Sequence, residues 1–195
     1  MGNRSGVLEL AVLGLLHEAP MHGYELRKRV NAQFGWGRVL SFGSLYPCLK
    51  AMLRTGLISA DAGEQRGGDS GRKRIVYTIT ADGKDHFASA MHDAGPSAWE
   101  DDTFGVRFSF FGRTEPATRL RILEGRRARM EERLANFRAA MTRTAERVDA
   151  YTLELQRHGL ESAEREVRWL SELIDGERRQ QRPPEELHPP VPPPN

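Results

Sequence analysis

The stretch GSLYPCLKAMLRTGLI, residues 43–58, decides how the first half of this 195-residue chain folds. Its apolar side chains recur with the i, i+3, i+4, i+7 spacing of one buried helical face; they are Leu45, Cys48, Leu49 and Met52. We therefore predict a helix from residue 44 to about residue 55. With Ser44 as the N-cap, Pro47 occupies a first-turn position, where its missing N–H has no intrahelical acceptor to lose. Gly56 supplies the C-terminal stop.

Two further helices are predicted before this stretch. The first, over about residues 7–18, is apolar almost all round and is therefore expected to lie buried. The second, over about residues 22–34, carries a single apolar stripe. Pro20 separates these two helices, and Gly35 ends the second.

Two strands are predicted after the helix, over residues 57–60 and 74–79, because the second of them alternates apolar and polar side chains. The segment between them is polar and rich in glycine, which indicates a long hairpin loop. Thr80 then caps a further helix, in which Asp82 lies near the positive end of the helix dipole. Three short helices followed by a two-stranded ribbon with a basic connection form the order of a winged helix-turn-helix domain.

Several blocks of the sequence resemble the PadR family of transcriptional regulators. They are MHGYEL (21–26), GSLYPCLKAML (43–53), TGLI (55–58) and VYTITADG (76–83), and together they extend the likeness over roughly residues 7–92. Residues 110–134 look like the C-terminal helical domain of that family. The resemblance implies a dimeric repressor that reads an inverted-repeat operator with its winged domain, holds the dimer with its C-terminal helices, and is released by a small molecule or a stress signal.

The candidate contacts to double-stranded DNA follow from this arrangement. The recognition helix places its N-terminal residues against base edges in the major groove, and the wing reaches neighbouring phosphates. The candidates are Tyr24, Ser44, Tyr46, Lys50, Arg66, Arg72, Lys73 and Arg74. Six of them have a second interpretation. Tyr24 is equally compatible with core packing, Ser44 with capping alone, and Tyr46 with plain solvent exposure. The three basic residues at 72–74 could belong to an ordinary solvated wing.

The C-terminal half carries a long apolar seam, spaced alternately three and four residues apart, which is typical of a coiled coil. The seam residues that we assign to dimerisation are Leu123, Met130, Leu134, Phe137, Met141, Val148, Tyr151 and Leu155. We expect one helix over residues 116–157, ended by His158 and Gly159, and a second over residues 162–179. The two helices could close on each other as a hairpin, so the seam alone does not establish a dimer. The shorter second helix would leave much of the seam uncovered, which favours a second subunit.

The predicted fold class is mainly α with a small β-wing: a winged helix-turn-helix domain followed by a long-helix, coiled-coil-like dimerisation domain. The winged domain spans residues 1–92 and the helical domain residues 114–179. Residues 93–113 are expected to be an irregular connecting segment. The tail, residues 180–195, contains seven prolines and is expected to be disordered or to adopt polyproline II.

Composition excludes several other classes of protein. A single cysteine rules out a disulfide framework or a zinc site built from several cysteines, and Cys48 lies on the apolar stripe, where packing is favoured over redox sensing. The sequence contains none of the common catalytic motifs, so we expect no enzyme activity, no metal and no cofactor. The longest apolar run is too short to span a bilayer and has no signal-peptide pattern, which indicates a cytoplasmic protein without a membrane partner.

Charge and aromatic residues leave two points open. Residues 1–90 contain 12 Lys and Arg against 8 Asp and Glu, whereas residues 91–195 contain 17 against 19, so the N-terminal half is the one suited to a polyanion.

Trp99 and Trp169 could stack on an aromatic effector, although ordinary packing needs fewer assumptions. The alternative function is a helical scaffold or adaptor that binds proteins through the seam and the proline-rich tail.

Overall fold

In the computed structural model, the chain is mainly helical with one small antiparallel sheet, so the predicted fold class is confirmed. The part of the chain that the structure describes comprises residues 2–34, 42–62, 75–144 and 149–181. The chain divides into two compact units. We call Met1–Ile122 the N-terminal unit and Leu123–Asn195 the C-terminal unit. Among the residues just given, no helix combines the length and the apolar character that crossing a membrane requires.

The N-terminal unit is built around its first helix. Its helices and strands are α1 (Gly2–Glu18), β1 (Met21–His22), α2 (Gly23–Phe34), α3 (Phe42–Arg54), β2 (Ile58–Ala62), β3 (Ile75–Ile79), α4 (Ala81–His92) and α5 (Asp101–Ser109). Helix α1 packs against α2, α3, α4 and α5, and its apolar residues are buried on all sides. The prediction of a buried first helix is confirmed.

The sheet has the strand order β1–β3–β2, with both neighbours antiparallel to β3. The β2–β3 ribbon runs from Ile58 opposite Ile79 to Ala62 opposite Ile75. Strand β1 pairs Met21 with Tyr77. The sequence did not indicate β1, because two residues are too few to show an alternating pattern.

Helix α3 begins earlier than predicted. It starts at Phe42, so Ser44 lies inside the first turn and is not the N-cap, and Pro47 is an interior residue. Pro47 cannot donate the hydrogen bond expected at that position. Burial of Leu45 against the core holds the first turn in place despite that loss. Gly56 ends the helix with a φ of 77°, as predicted, since a residue without Cβ adopts this conformation at no steric cost.

Thr80 caps α4, as predicted, and also joins this helix to the end of α3. Its Oγ1 accepts a hydrogen bond from the Gly83 N–H at 3.0 Å. The same hydroxyl lies 2.7 Å from the Gly56 carbonyl oxygen and 3.0 Å from that of Leu57, to which it can donate. One side chain therefore fixes the base of the wing.

The prediction of an irregular stretch over residues 93–113 is wrong. The structure contains a 3₁₀ turn at Pro96–Trp99, then α5, then a second 3₁₀ turn at Phe111–Arg113. These elements are too short to show a helical period, but their aromatic residues are pulled into the core. The Phe110 ring packs against the rings of Phe34 and Phe87.

The predicted helix break in the C-terminal half is also misplaced. Helix α6 (Pro116–Thr144) ends before the expected position, and α7 (Ala150–Gln181) runs straight through His158 and Gly159. Asp149 begins α7, because its Oδ1 accepts hydrogen bonds from the Tyr151 and Thr152 N–H groups. Gly159 does not end a helix here. Its missing Cβ leaves room for the Phe137 ring, which would lie 3.3 Å from a methyl group at that position.

Candidate nucleic-acid interface

The predicted recognition helix presents one apolar and one polar face. Leu45, Cys48, Leu49 and Met52 are all buried in the core. On the outward side, Ser44 and Lys50 are exposed, and 53% of Tyr46 is accessible. Tyr24, near the start of α2, is 73% exposed, so the core-packing interpretation of this residue is wrong. All four of these sequence-predicted residues are therefore exposed at the surface.

The start of α2, the outer face of α3 and strand β3 meet at Gly23. A methyl group at Gly23 would lie 3.3 Å from Tyr77 Cε2 and 3.7 Å from Tyr46 Cε1. Glycine thus allows the Tyr46 ring to lie close to the first turn of α2. Gly23 and Tyr77 were missed by the sequence analysis, because their role depends on a contact between distant segments.

Tyr77 is the buried member of the group formed by Gly23, Tyr46 and Tyr77. It is buried in the core, and burial raises the pKa of its phenol, with a further increase from the neighbouring Tyr46. The Tyr77 phenol therefore remains neutral at ordinary pH. The Tyr77 ring is thus a neutral, buried neighbour of Tyr46 beside Gly23.

The charges near α2 are partly engaged within the chain. The Arg29 guanidinium lies 3.4 Å from Glu18 Oε2 and 3.3 Å from Glu25 Oε1. Lys28 on α2 and Arg54 at the end of α3 are exposed cations that the sequence analysis did not select. Both residues lie off the apolar stripes of their helices, and this position in the sequence pattern is the signal that predicts their exposure.

The wing is described only at its base, where β2 ends at Ala62 and β3 begins at Ile75. The predicted phosphate contacts fall between these strands and lie outside the described residues; they are Arg66, Arg72, Lys73 and Arg74. Their contribution remains a prediction from the sequence.

The seam residues fall into three groups. Leu123, Met130 and Leu134 are buried within the chain, and Phe137 and Met141 are half-buried. Tyr151 is 89% exposed and Leu155 is 70% exposed. Val148 lies outside the described residues. The seam is therefore satisfied internally along its first half and open to solvent near the start of α7.

Ion pairs join α6 to α7 as an antiparallel hairpin within the C-terminal unit. Arg126 Nη2 lies 2.6 Å from Glu166 Oε1, and Arg126 is itself buried. Two more exposed pairs join the same helices, Arg138 to Glu164 at 2.8 Å and Arg178 to Glu124 at 2.7 Å. The hairpin arrangement, one of the two alternatives left by the sequence, thus accounts for the buried part of the seam.

Other candidate sites have ordinary structural roles. Cys48 Sγ lies 3.7 Å from Met52 Sδ, and burial raises the pKa of its thiol to about 11, which suits a packing residue. Within the described ranges, no three or more His, Cys, Asp or Glu side chains come together as a potential metal site. Trp99 is half-buried and its indole N–H donates to the Ala94 carbonyl, whereas Trp169 is 39% exposed.

Two family models match the chain. Residues 12–89 match the transcriptional regulator PadR-like family, and residues 102–176 match the family described as virulence activator alpha C-term. No curated protein matches the sequence.

Several solved structures are similar to the chain. The Thermoplasma acidophilum protein TA0346 is 33% identical, covering 44% of this chain and 75% of that one, with a TM-score of 0.37. Bacillus subtilis PadR in complex with operator DNA is 18% identical over 88% of this chain and 99% of that one, with a TM-score of 0.42. The PadR-like transcriptional regulator BC1756 of Bacillus cereus is 21% identical over 89% of this chain and 99% of that one, with a TM-score of 0.39.

Proposed function

The chain belongs to the PadR-like family of transcriptional regulators, and on that premise we propose that it is a repressor that binds an inverted-repeat operator as a homodimer. The observation that carries this proposal is the outer face of α3. Tyr46 and Lys50 stand there one helical turn apart, both exposed, opposite a stripe that is wholly buried.

The contact of Tyr46 with the start of α2 supports a role in base recognition. Its ring lies near Gly23 and the buried Tyr77, and these neighbours would restrict its position before DNA arrives. A side chain that is already ordered loses less conformational entropy when it binds. Lys50 on the same face supplies a cation for guanine acceptors or a phosphate, and Ser44 a short hydroxyl near the helix start.

The wing and the second subunit complete the proposal. Arg66, Arg72, Lys73 and Arg74 would contact phosphates on either side of the groove. A second copy of the chain would cover the exposed Tyr151 and Leu155 and bring two recognition helices to two half-sites. Residues 1–92 would then read DNA and residues 114–179 hold the dimer, joined by 93–113, with 180–195 as a tail.

Regulation by an effector and the cellular location of the protein follow from the same function. The repressor would act in the cytoplasm, without catalytic activity, and a small-molecule or stress signal would lower its affinity for the operator. DNA binding, dimerisation and release are separate steps, so each can be measured alone.

The recognition helix is tested by Tyr46→Ala and Lys50→Ala. An operator is first isolated by capturing genomic fragments on the purified protein, and affinities are then measured by fluorescence anisotropy. Each substitution should weaken operator binding by about 1–3 kcal/mol more than it weakens binding to a random duplex. The matched control is Lys84→Ala, which removes an exposed lysine from α4. Equal weakening on both duplexes would show that Tyr46 contacts the backbone and does not read bases.

A helical scaffold or adaptor is the second candidate, and the exposed Tyr151 and Leu155 favour it. Salt separates the two functions, because binding through phosphates weakens steeply as salt rises and apolar association does not. Replacing Arg72, Lys73 and Arg74 together by Ala should lower the salt slope of DNA binding by about three, one for each lost contact. An unchanged slope in a folded variant would remove the wing from the interface.

A further inference from the structure

Helices α1, α4 and α5, with the 3₁₀ turn before α5, surround a cavity of about 220 Å³ inside the N-terminal unit. Val7, Leu10 and Leu13 of α1 form an aliphatic wall. At about 30 Å³ per water-sized atom, the cavity volume corresponds to seven to eight non-hydrogen atoms, about the size of a six-carbon carboxylate. It is large enough for a small organic molecule and separate from the proposed DNA-contacting face of α3.

Two buried polar atoms in the wall of this cavity have no hydrogen-bond partner among the described residues. Thr103 and Arg107 lie one turn apart on α5 and are 6% and 5% exposed. Thr103 Oγ1 and Arg107 Nε are both without a partner in the part of the chain that the structure describes. Leaving a buried polar group without a hydrogen bond is unfavourable, so two such groups in one cavity wall require an explanation, and a bound ligand that pairs with both provides one.

The Arg107 guanidinium is held in place but only partly neutralised. Its Nη1 donates to the carbonyl oxygens of Ala90 at 2.6 Å and Asp93 at 2.8 Å. Its Nη2 lies 3.8 Å from Asp93 Oδ2, on a side chain that is more than half exposed. Burial lowers the pKa of Arg107, and Asp93 opposes that shift. A buried cation therefore keeps one N–H group, that of Nε, with no acceptor among the residues that the structure describes.

The rim of the cavity limits the charge of a suitable ligand. Glu9 Oε1 on α1 lies 3.0 Å from His86 Nε2 on α4, and both side chains are partly exposed. The Glu9 carboxylate repels anions, most strongly those with several charges. Among anions, a singly charged one with an apolar body is repelled least.

We propose that this cavity binds a small aliphatic monocarboxylic acid, whose carboxylate accepts hydrogen bonds from Arg107 Nε and Thr103 Oγ1. The aliphatic part would pack on Val7, Leu10 and Leu13. This deepens the proposed function by naming the class of molecule that signals to the repressor, and the signalling part rests on that function.

Binding is tested on the full-length chain without DNA, by isothermal titration calorimetry with hexanoate and with hexanamide, which has the same shape but no charge. Hexanoate should bind at least about tenfold more tightly than hexanamide, because only the carboxylate pairs with the buried guanidinium. Failure of hexanoate to bind, or equal binding of the two compounds, would overturn the proposal.

Thr103→Val separates a ligand site from a structural role. Valine keeps the shape of threonine but removes the unsatisfied hydroxyl, so the melting temperature without ligand should stay the same or rise. Hexanoate should bind about tenfold more weakly. The matched control is Thr114→Val, since the buried Thr114 hydroxyl donates to the Phe110 carbonyl at 3.2 Å. That variant should melt at lower temperature and bind hexanoate as the wild type does. Unchanged hexanoate binding by Thr103→Val would show that the cavity does not hold the carboxylate there.

Glu9→Gln should change hexanoate affinity in the opposite direction to Thr103→Val. Removing the negative charge at the rim should tighten hexanoate binding by about threefold and leave hexanamide unaffected. Weaker hexanoate binding would contradict the assigned orientation. Operator affinity with and without hexanoate is then measured separately. If hexanoate binds but operator affinity does not change, the signalling part is wrong and the site stands; if the chain binds no DNA at all, the proposed function fails and the calorimetry still tests the site.

Discussion

The N-terminal and C-terminal units carry apolar stripes of the same helical spacing but bury them to different extents. In the N-terminal unit, α1 is buried on all sides and the whole stripe of α3 lies in the core. In the C-terminal unit, the seam is buried at Leu123, Met130 and Leu134 but exposed at Tyr151 and Leu155. The N-terminal unit thus completes its own core, and the C-terminal unit keeps apolar surface that a partner can cover.

The surroundings of two glycines, one in each unit, show the same difference in packing. A methyl group at Gly14 of α1 would overlap the Phe110 ring, which is itself buried among other aromatic rings. A methyl group at Gly159 of α7 would lie 3.3 Å from the Phe137 ring, which is only half-buried and can shift. The core of the N-terminal unit has no spare volume at this point, whereas the hairpin can adjust.

The largest expected effect is that of Gly14→Ala, which should lower the free energy of unfolding by about 3 kcal/mol because the Phe110 ring must move. Urea denaturation followed by circular dichroism measures the change. Gly159→Ala should stay within about 0.5 kcal/mol of the wild type, since better helix propensity offsets a small shift of Phe137. Gly6→Ala is the control, because no atom that another described residue contributes lies within 4 Å of a methyl group there, apart from the backbone of the helix itself. Similar losses for Gly14→Ala and Gly159→Ala would remove the contrast between the units.

The next effect concerns the exposed surface of α7. Leu155→Glu should weaken self-association by about 2 kcal/mol, or roughly thirtyfold, because a leucine that a partner buries becomes charged. Sedimentation velocity over a range of protein concentrations gives the association constant. Leu155→Met, which keeps the apolar volume, should associate as the wild type does. If Leu155→Glu associates normally, this end of the seam is not the dimer contact.

The smallest effect is a pH dependence confined to the N-terminal unit, which contains the only cysteine. Burial raises the pKa of the Cys48 thiol from 9.0 to about 11, so the folded chain holds this proton more tightly than the unfolded chain does. The resulting stability is complete below about pH 9 and is lost as the pH rises toward 11. Between these values the wild type should lose more free energy of unfolding than Cys48→Ala. Parallel pH profiles for the two proteins would contradict this assignment.

The sequence predicts the elements whose side chains form regular patterns. The stripe of α3, the glycine at its end and the cap at Thr80 are local features, and the structure contains them where expected. The outward orientation of Tyr46 and Lys50 follows from the stripe opposite them. Family resemblance identified the same segment from its residue types.

The remaining features depend on contacts between distant segments. Strand β1 exists because Met21 meets Tyr77, and α5 is stable because Phe110 packs beside Phe34 and Phe87. The sequence pattern predicts a helix end at Gly159, because the packing of this glycine on Phe137 exists only once α6 and α7 are paired. The unsatisfied Thr103 and Arg107 could not be anticipated for the same reason, since burial is a property of the assembled core.

The base of the wing has a consequence for protein engineering. Five residue pairs between β2 and β3 and the Thr80 hydroxyl join the two ends of the connection, residues 63–74, independently of its length. Doubling the length of a connecting loop raises its closure entropy cost by only about 0.6 kcal/mol. A fluorescent reporter or an affinity tag inserted there should leave α3 and α4 folded, so any loss of DNA binding by such a protein would report on the proposed phosphate contacts of the connection and not on unfolding.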